Sequence, residues 1–401
     1  MNAIAPLINV IQPYDWGSFS AIADFLGRPS PSPGPQAELW MGTHPGGPSR
    51  VRLKEATPLL SAMIAADKAA MLGRPTAERF NGGLPYLFKV LAAEKPLSIQ
   101  AHPDLAQARA GFERENRNGV PLDAPERMFK DDNHKPECIC ALEPFWALNG
   151  FRPLPALLHR LERCARHSLV GERRALEQDP SEKSLRCFFH ALLTLDEIRR
   201  GQVLKEVLDR TASGVEDDPV CRWVHRLNAA FPGDIGALFP LLLNLVRLAP
   251  GEAMYLPPRT LHAYLAGVGI ELMANSDNVL RGGLTPKHVD VDGLTDMLHF
   301  RAHAVHRLQP APRRPFEKTY PTPAEEFELS VIALPPAGVY QGPVKHSLEI
   351  LLCTAGAVQA VDDAHGIELS VGRGTAFIVP ACVRRYRLEG QGVLYKAGVP
   401  Q

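Results

Sequence analysis

The segment Gly251-Glu-Ala-Met-Tyr-Leu-Pro257, followed by His262, has an echo in Gly374-Thr-Ala-Phe-Ile-Val-Pro380, followed by Arg385. The glycine, the proline and the His/Arg position each recur 123 residues later, and so does the next glycine, Gly267, as Gly390. An apolar run held between glycine and proline reads as a short strand between turns. The chain must therefore build two similar β units. Residues 1 to about 104 also alternate short apolar runs with Pro and Gly, as in Leu84-Pro-Tyr-Leu-Phe-Lys-Val-Leu91, which predicts β structure. A helix follows over 105–118, in an Ala-, Glu- and Arg-rich stretch. From about 153 to 248 the period changes. Leu154, Leu157, Leu158 and Leu161 follow a helical spacing, and Phe188, Leu192 and Leu195 repeat it.

The expected organisation is a β domain made of 1–152 together with 249–310, a helical domain over 153–248 inserted in it, and a second β domain over 311–401. The Pro- and Arg-rich stretch 308–323 reads as the linker into the last unit. Balanced charge, 44 Lys+Arg against 44 Asp+Glu, gives no net field to draw the chain to nucleic acid or an anionic membrane. The strongest apolar run, Ala237–Leu248, is too short to span a bilayer. The N-terminus shows no signal-peptide pattern, and the seven cysteines are odd in number and scattered apart from Cys138 and Cys140. Reduced thiols and a cytoplasmic location are the expectation, with the Cys138/Cys140 pair facing inward from a strand.

Three segments carry candidate metal ligands. Gln100 and His102 are two apart, so on a strand both point to one face. Glu137 adds a carboxylate and His262 a second imidazole. This mixed N/O set suits Zn²⁺, although Fe²⁺, Mn²⁺ or Co²⁺ also fit it. Spacing alone does not choose between a metal site and a structural Gln-x-His. The Gly, Pro and His262 spacing is similar to the second motif of cupins, and Gln100-x-His102 resembles the first, with Gln in place of one His. Arg259 stands where cupins usually carry glycine, and Arg385 cannot bind a cation. The fold class expected is mainly β with a helical insertion: two cupin-like jelly-roll barrels plus an all-α domain. Only the first barrel keeps a metal.

Downstream, Glu271 to Lys287 concentrates a carboxylate, amides, Arg281 and Lys287 within one short polar stretch. Taken with Tyr14-Asp-Trp16-Gly-Ser18, Ala37-Glu38-Leu-Trp40-Met-Gly42-Thr-His44-Pro, Phe88-Lys89-Val-Leu91, Ser98-Ile-Gln100-Ala-His102-Pro, Asp132-Asn-His-Lys135-Pro-Glu137 and Asn275-Ser-Asp277-Asn278-Val-Leu-Arg281-Gly-Gly-Leu-Thr-Pro-Lys287, the chain closely resembles type I mannose-6-phosphate isomerases, most of all the bacterial branch. Leu105 stands where many relatives have lysine.

The resemblance implies a cytoplasmic enzyme with one Zn²⁺ per chain that interconverts mannose 6-phosphate and fructose 6-phosphate. It would serve mannose metabolism or GDP-mannose synthesis. Gln100, His102, Glu137 and His262 would be the zinc ligands and Arg281 the active-site arginine. Trp16, Glu38, Lys89, Ser98, Lys135, Tyr264, Glu271, Asp277 and Lys287 would line the pocket. Proton transfer through an enediol needs a base, for which Glu271 is favoured over Lys135. Lys89, Ser98 and Lys287 are the candidates for the phosphate. A monomer or weak homo-oligomer is expected, with a sugar phosphate as its partner and neither nucleic acid nor membrane. Two other readings differ in class: a non-catalytic sugar-phosphate-binding bicupin, and an Fe²⁺ oxygenase of the cupin type.

Overall fold

The computed structural model of the chain describes residues 3–302, 304–305 and 307–400. Among these, the strands form two sheets, of eleven and nine strands, and neither closes on itself. The molecule is thus sheet-rich with helices. The eleven-stranded sheet runs from Arg307–Leu308 through Ala253–Leu256, Glu137–Ala141, His262–Ala274, Tyr86–Ala93 and Glu38–Met41 to Val10–Gln12.

Strand His262–Ala274 serves two layers. Its Gly267–Ala274 half pairs with Tyr86–Ala93 and, from Gly269 on, with Glu137–Ala141. Its first residues pair with Phe145–Phe151 and, at His262, with Ile99–Ala101. The change of partners falls at Gly267, where φ is +125° and an added Cβ would lie 2.7 Å from the Pro144 carbonyl oxygen. No side chain fits there. Its counterpart Gly390 has φ +130°, and Gly251 and Gly374 share φ +83° and +82°. The repeat seen in the sequence is therefore a repeat of backbone conformation.

Six α-helices, from Leu154–Cys164 to Phe239–Leu242, lie between strands Phe145–Phe151 and Leu243–Leu248. Those two strands pair with each other, Leu148 opposite Leu245, so the helical block leaves and re-enters the sheet at one place. Residues 243–248, expected to be helical, form the returning strand. Its polar residues, Asn244 and Arg247, stand three apart, a spacing that reads as helical and not as the alternation of a half-buried strand. Phe189 is fully buried in this block, with the rings of Phe151, Phe239 and Phe300 each 5.6 Å away between centroids. Emptying that space in Phe189→Ala should destabilise the protein by about 3–5 kcal/mol. Urea unfolding measures it, and a loss below about 1 kcal/mol would mean that the helices collapse around the void.

Stretch 308–323 is not a linker. It holds strands Ala311–Arg314 and Glu317–Tyr320, and Ala311–Arg314 is the edge of the nine-stranded sheet, where Pro312 is tolerated because one side of the strand has no partner. Short helices such as Ala21–Phe25 and Leu60–Ala66 also interrupt the first hundred residues, whose Pro and Gly punctuation reads only as turns.

The two sheets are bound together. Strand Ala5–Ile8 lies in the nine-stranded sheet beside Ala376–Val379. Tyr86 Oη donates to the carbonyls of Leu348 (3.0 Å) and Ala397 (3.2 Å). Cys138 and Cys140 face the shared apolar layer, with Cys140 Sγ 3.2 Å from Tyr320 Oη. The opposite face of Glu137–Ala141 carries Glu137 at its start, followed by Ile139 and Ala141, which pack in a separate apolar cluster with Tyr264.

Candidate metal centre

His102 follows strand Ile99–Ala101, while Glu137 and His262 each open a strand. The ligand atoms of these three residues lie within 4.8 Å of one another, and all three side chains are buried. Gln100 sits directly opposite both His262 and Arg281 in the strand register, which puts the three on one face. Of the sequence-derived set, His102, Glu137 and His262 thus meet in one place, and Gln100 lies opposite His262 in the register.

Hydrogen bonding fixes how the imidazoles are used. His102 Nδ1 is 2.6 Å from the Asn278 carbonyl oxygen, and His262 Nδ1 is 3.0 Å from that of Thr260. A carbonyl only accepts, so each Nδ1 carries the proton and each Nε2 of a neutral ring is a bare lone pair. Burial, assisted by Lys135, pushes His102 down to about 4, so this ring is neutral near pH 7. Neither Nε2 has a hydrogen-bond partner. Both instead face the Glu137 carboxylate, His102 Nε2 at 3.2 Å from Oε1 and His262 Nε2 at 3.4 Å from Oε2. Lone pairs aimed at carboxylate oxygens repel, and a shared cation removes the repulsion. The donors therefore fit a metal ion, and the Nδ1 carbonyl partners are the outer contacts that such a site uses to orient its ligands.

Glu137 is held ionised for that role. Burial alone would raise it, but Lys135, with Nζ 3.0 Å from Oε1, works against burial, and the carboxylate stays well below its usual range. Arg259, at the position where cupins carry glycine, adopts φ +66°. Its N–H donates to the His102 carbonyl at 2.7 Å and its Nε to that of Met297 at 2.8 Å, which offsets the strained backbone.

Beside the centre lies a second buried cluster. Lys89 Nζ is 2.9 Å from Glu271 and 3.5 Å from Glu38, and Glu38 accepts from Trp40 Nε1 at 2.6 Å. Register explains the grouping, since Lys89 pairs directly with Glu271 on one side and Trp40 on the other. Burial would lower Lys89, yet Glu271 and Glu38 hold it above its ordinary range. With two carboxylates on its ammonium, Lys89 is not a free phosphate anchor, contrary to the sequence expectation. Burial raises Glu271 in spite of Lys89. Tyr264 Oη is 3.5 Å from Glu137 Oε2, and burial followed by Glu271 and Glu137 keeps its phenol protonated. Trp16 is half-buried against the apolar layer that contains Tyr264.

A cationic rim completes the site. Lys287 is exposed and pushed down chiefly by Arg281, then by burial and by Lys130. Among the described residues no ion pair joins Arg281, Lys287 or Lys130 to a carboxylate. Ser98 is half-buried just before Ile99–Ala101. Asp277 pairs with His44, Oδ1 to Nε2 3.2 Å, and because His44 Nδ1 accepts from the Gly46 N–H its Nε2 proton points at Asp277. Sequence reasoning gave no role to His44, Lys130 or Asn149. Asn149 lies opposite His262 with a buried, unpartnered Oδ1. Each is a common polar residue whose place emerges only when distant strands pair.

A buried N,N,O donor set, a lysine–carboxylate cluster and an unpaired cationic rim together define a metal-dependent enzyme for an anionic substrate. Residues 4–154 match the family described as phosphomannose isomerase type I, catalytic domain. Mannose-6-phosphate isomerases of Salmonella typhimurium and Escherichia coli are each 40% identical to the chain, covering 93% of it and 94% of their own length. A solved structure of the Salmonella typhimurium mannose 6-phosphate isomerase, bound to its substrate F6P and a zinc atom, superposes with TM-score 0.92 at 36% identity over 100% of both chains. The chain belongs to the type I mannose-6-phosphate isomerase family.

Proposed function

We infer that this protein is a zinc-dependent aldose–ketose isomerase that interconverts D-mannose 6-phosphate and D-fructose 6-phosphate. The observation that carries the reading is the pair of bare, buried imidazole Nε2 atoms facing Glu137 in a chain so close to the isomerases of two bacteria. Gln100, His102, Glu137 and His262 would hold one zinc ion, which when bound supplies a Lewis acid for a sugar oxygen.

The remaining chemistry belongs to the chain's own groups. Glu271, its carboxylate raised by burial, is the base that moves the proton between C2 and C1 through an enediol. Lys89 and Glu38 fix its position. Arg281 stabilises the negative charge that develops on the sugar oxygens. Lys287, with Lys130 near it, takes the phosphate, with Ser98 as a further candidate for it, so that remote binding energy positions the reacting carbons. Lys135 holds Glu137 ionised. Trp16, Tyr264 and Asp277 line the sugar.

In this reading the strands of residues 1–152 and 249–310 form the catalytic cupin-like unit. The helices of 153–248 are an insertion, and 311–401 form a second cupin-like unit that took Ala5–Ile8 into its sheet. A cytoplasmic monomer or weak homo-oligomer is the accompanying proposal. Among the described residues no helix is long and apolar enough to cross a membrane.

Conversion of mannose 6-phosphate in deuterated water tests the mechanism. Deuterium at C1 of fructose 6-phosphate is expected, and its absence would favour a hydride shift. Exhaustive chelation should abolish turnover and zinc restore it, whereas full activity after chelation would contradict the metal role. Tight binding without turnover would leave a sugar-phosphate sensor.

A further inference from the structure

The loop from Lys130 to Pro136 delivers Lys135 and Glu137 to the metal centre, and it is held by a residue outside the groups assigned above. Asn278 is completely buried. Its Oδ1 accepts from the N–H groups of Lys130 (2.7 Å) and Asp131 (3.2 Å). Its Nδ2 donates to the carbonyls of Asp131 and Asn133, both at 2.8 Å. The main-chain carbonyl of the same residue accepts from His102 Nδ1 at 2.6 Å. Its neighbours strengthen the grip, as Ser276 Oγ and the Asp277 N–H each donate to the Asp131 carboxylate at 2.7 Å.

An amide is the side chain this position requires. It offers an acceptor and two donors in one plane, matching the N–H and C=O groups of the loop as a paired strand would. A carboxylate would lose the donations, and an apolar side chain would take the side-chain partner from the N–H groups of Lys130 and Asp131 and from the Asp131 carbonyl, leaving the Asn133 carbonyl to Ser276 Oγ alone.

We propose that Asn278 is a positioning residue for the metal centre. Its side chain fixes the loop that presents Glu137, while its main chain sets the tautomer and orientation of His102, so that two ligands from distant segments stand at the right separation. This inference rests on His102 and Glu137 being metal ligands. It assigns a role to a residue that neither type nor spacing distinguishes within Asn275-Ser-Asp277-Asn278.

The test is a zinc titration of the metal-free protein against a chromophoric chelator, joined to the visible absorption of the cobalt-substituted protein and to thermal unfolding without metal. Wild type should bind one zinc per chain. Asn278→Ala should bind it about 10- to 100-fold more weakly and show altered cobalt bands. Asn278→Asp keeps the acceptor and loses the donors, so its zinc affinity should fall in the same direction; it carries the test if the alanine variant does not fold. Unchanged zinc affinity and cobalt bands in either folded variant, with only the metal-free unfolding temperature lowered, would reduce Asn278 to a structural role and overturn the proposal. A wild-type protein that binds no zinc overturns the ligand reading itself, and the positioning role with it.

Discussion

Glu137→Gln should strip the protein of zinc and of turnover together. The substitution keeps the shape and the strand position of residue 137 and removes one negative charge. That charge is the group both His102 and His262 Nε2 atoms face, at 3.2 and 3.4 Å. With glutamine the amide nitrogen can donate to one imidazole, so the lone-pair repulsion that draws in a cation is relieved without a metal. Zinc affinity should fall by roughly 100-fold or more, since loss of an outer contact alone is worth 10- to 100-fold. Turnover should fall on the order of 10³. Metal analysis after gel filtration and a coupled isomerase assay read both quantities. Zinc should also raise the unfolding temperature of the wild type and leave that of the variant unmoved. A Glu137→Gln protein that keeps one zinc per chain but does not turn over would move Glu137 from the ligands to the catalytic groups.

The site was legible in the sequence to the extent that its chemistry is local. Gln100-x-His102 is legible as a candidate couplet from its two-residue spacing, although His102 falls just past the end of the strand, and the repeat glycines mark the turns because positive φ disfavours other residues. What lies across the sheet is silent. Nothing near Lys89 in the chain says that Glu38 and Glu271 will flank it, so a buried, neutralised lysine reads as a free phosphate anchor. His44 finds Asp277, and Asn278 finds the Lys130 loop, only through pairings of strands far apart in sequence. The fold shows the same division. Helical periodicity marked Leu157 and Leu161, which are buried as a helix face requires. The returning strand Leu243–Leu248 went unseen because its polar residues, Asn244 and Arg247, are three apart and do not alternate, and the edge strand Ala311–Arg314 because exposure on both faces erases alternation.

Arg281→Met should leave zinc at one per chain and lower kcat by about 10²- to 10³-fold, the loss that follows removal of one group stabilising an oxyanion. Arg281 stands directly opposite Gln100 in the strand register but carries no donor lone pair, so metal content does not depend on it. Burial pulls its guanidinium down, yet arginine stays charged at any working pH. Its charge, free of any carboxylate among the described residues, is available to the substrate. Two substrate positions compete for it. If Arg281 acts on the developing enediolate, kcat falls and Arg281→Lys recovers part of it. If it acts on the phosphate, KM rises instead and the variant resembles Lys287→Met, for which a raised KM with little change in kcat is expected. Steady-state kinetics of the three variants, with zinc measured in each, separates the cases. Loss of zinc from Arg281→Met would sink both assignments, because the arginine would then be holding the ligands rather than the sugar.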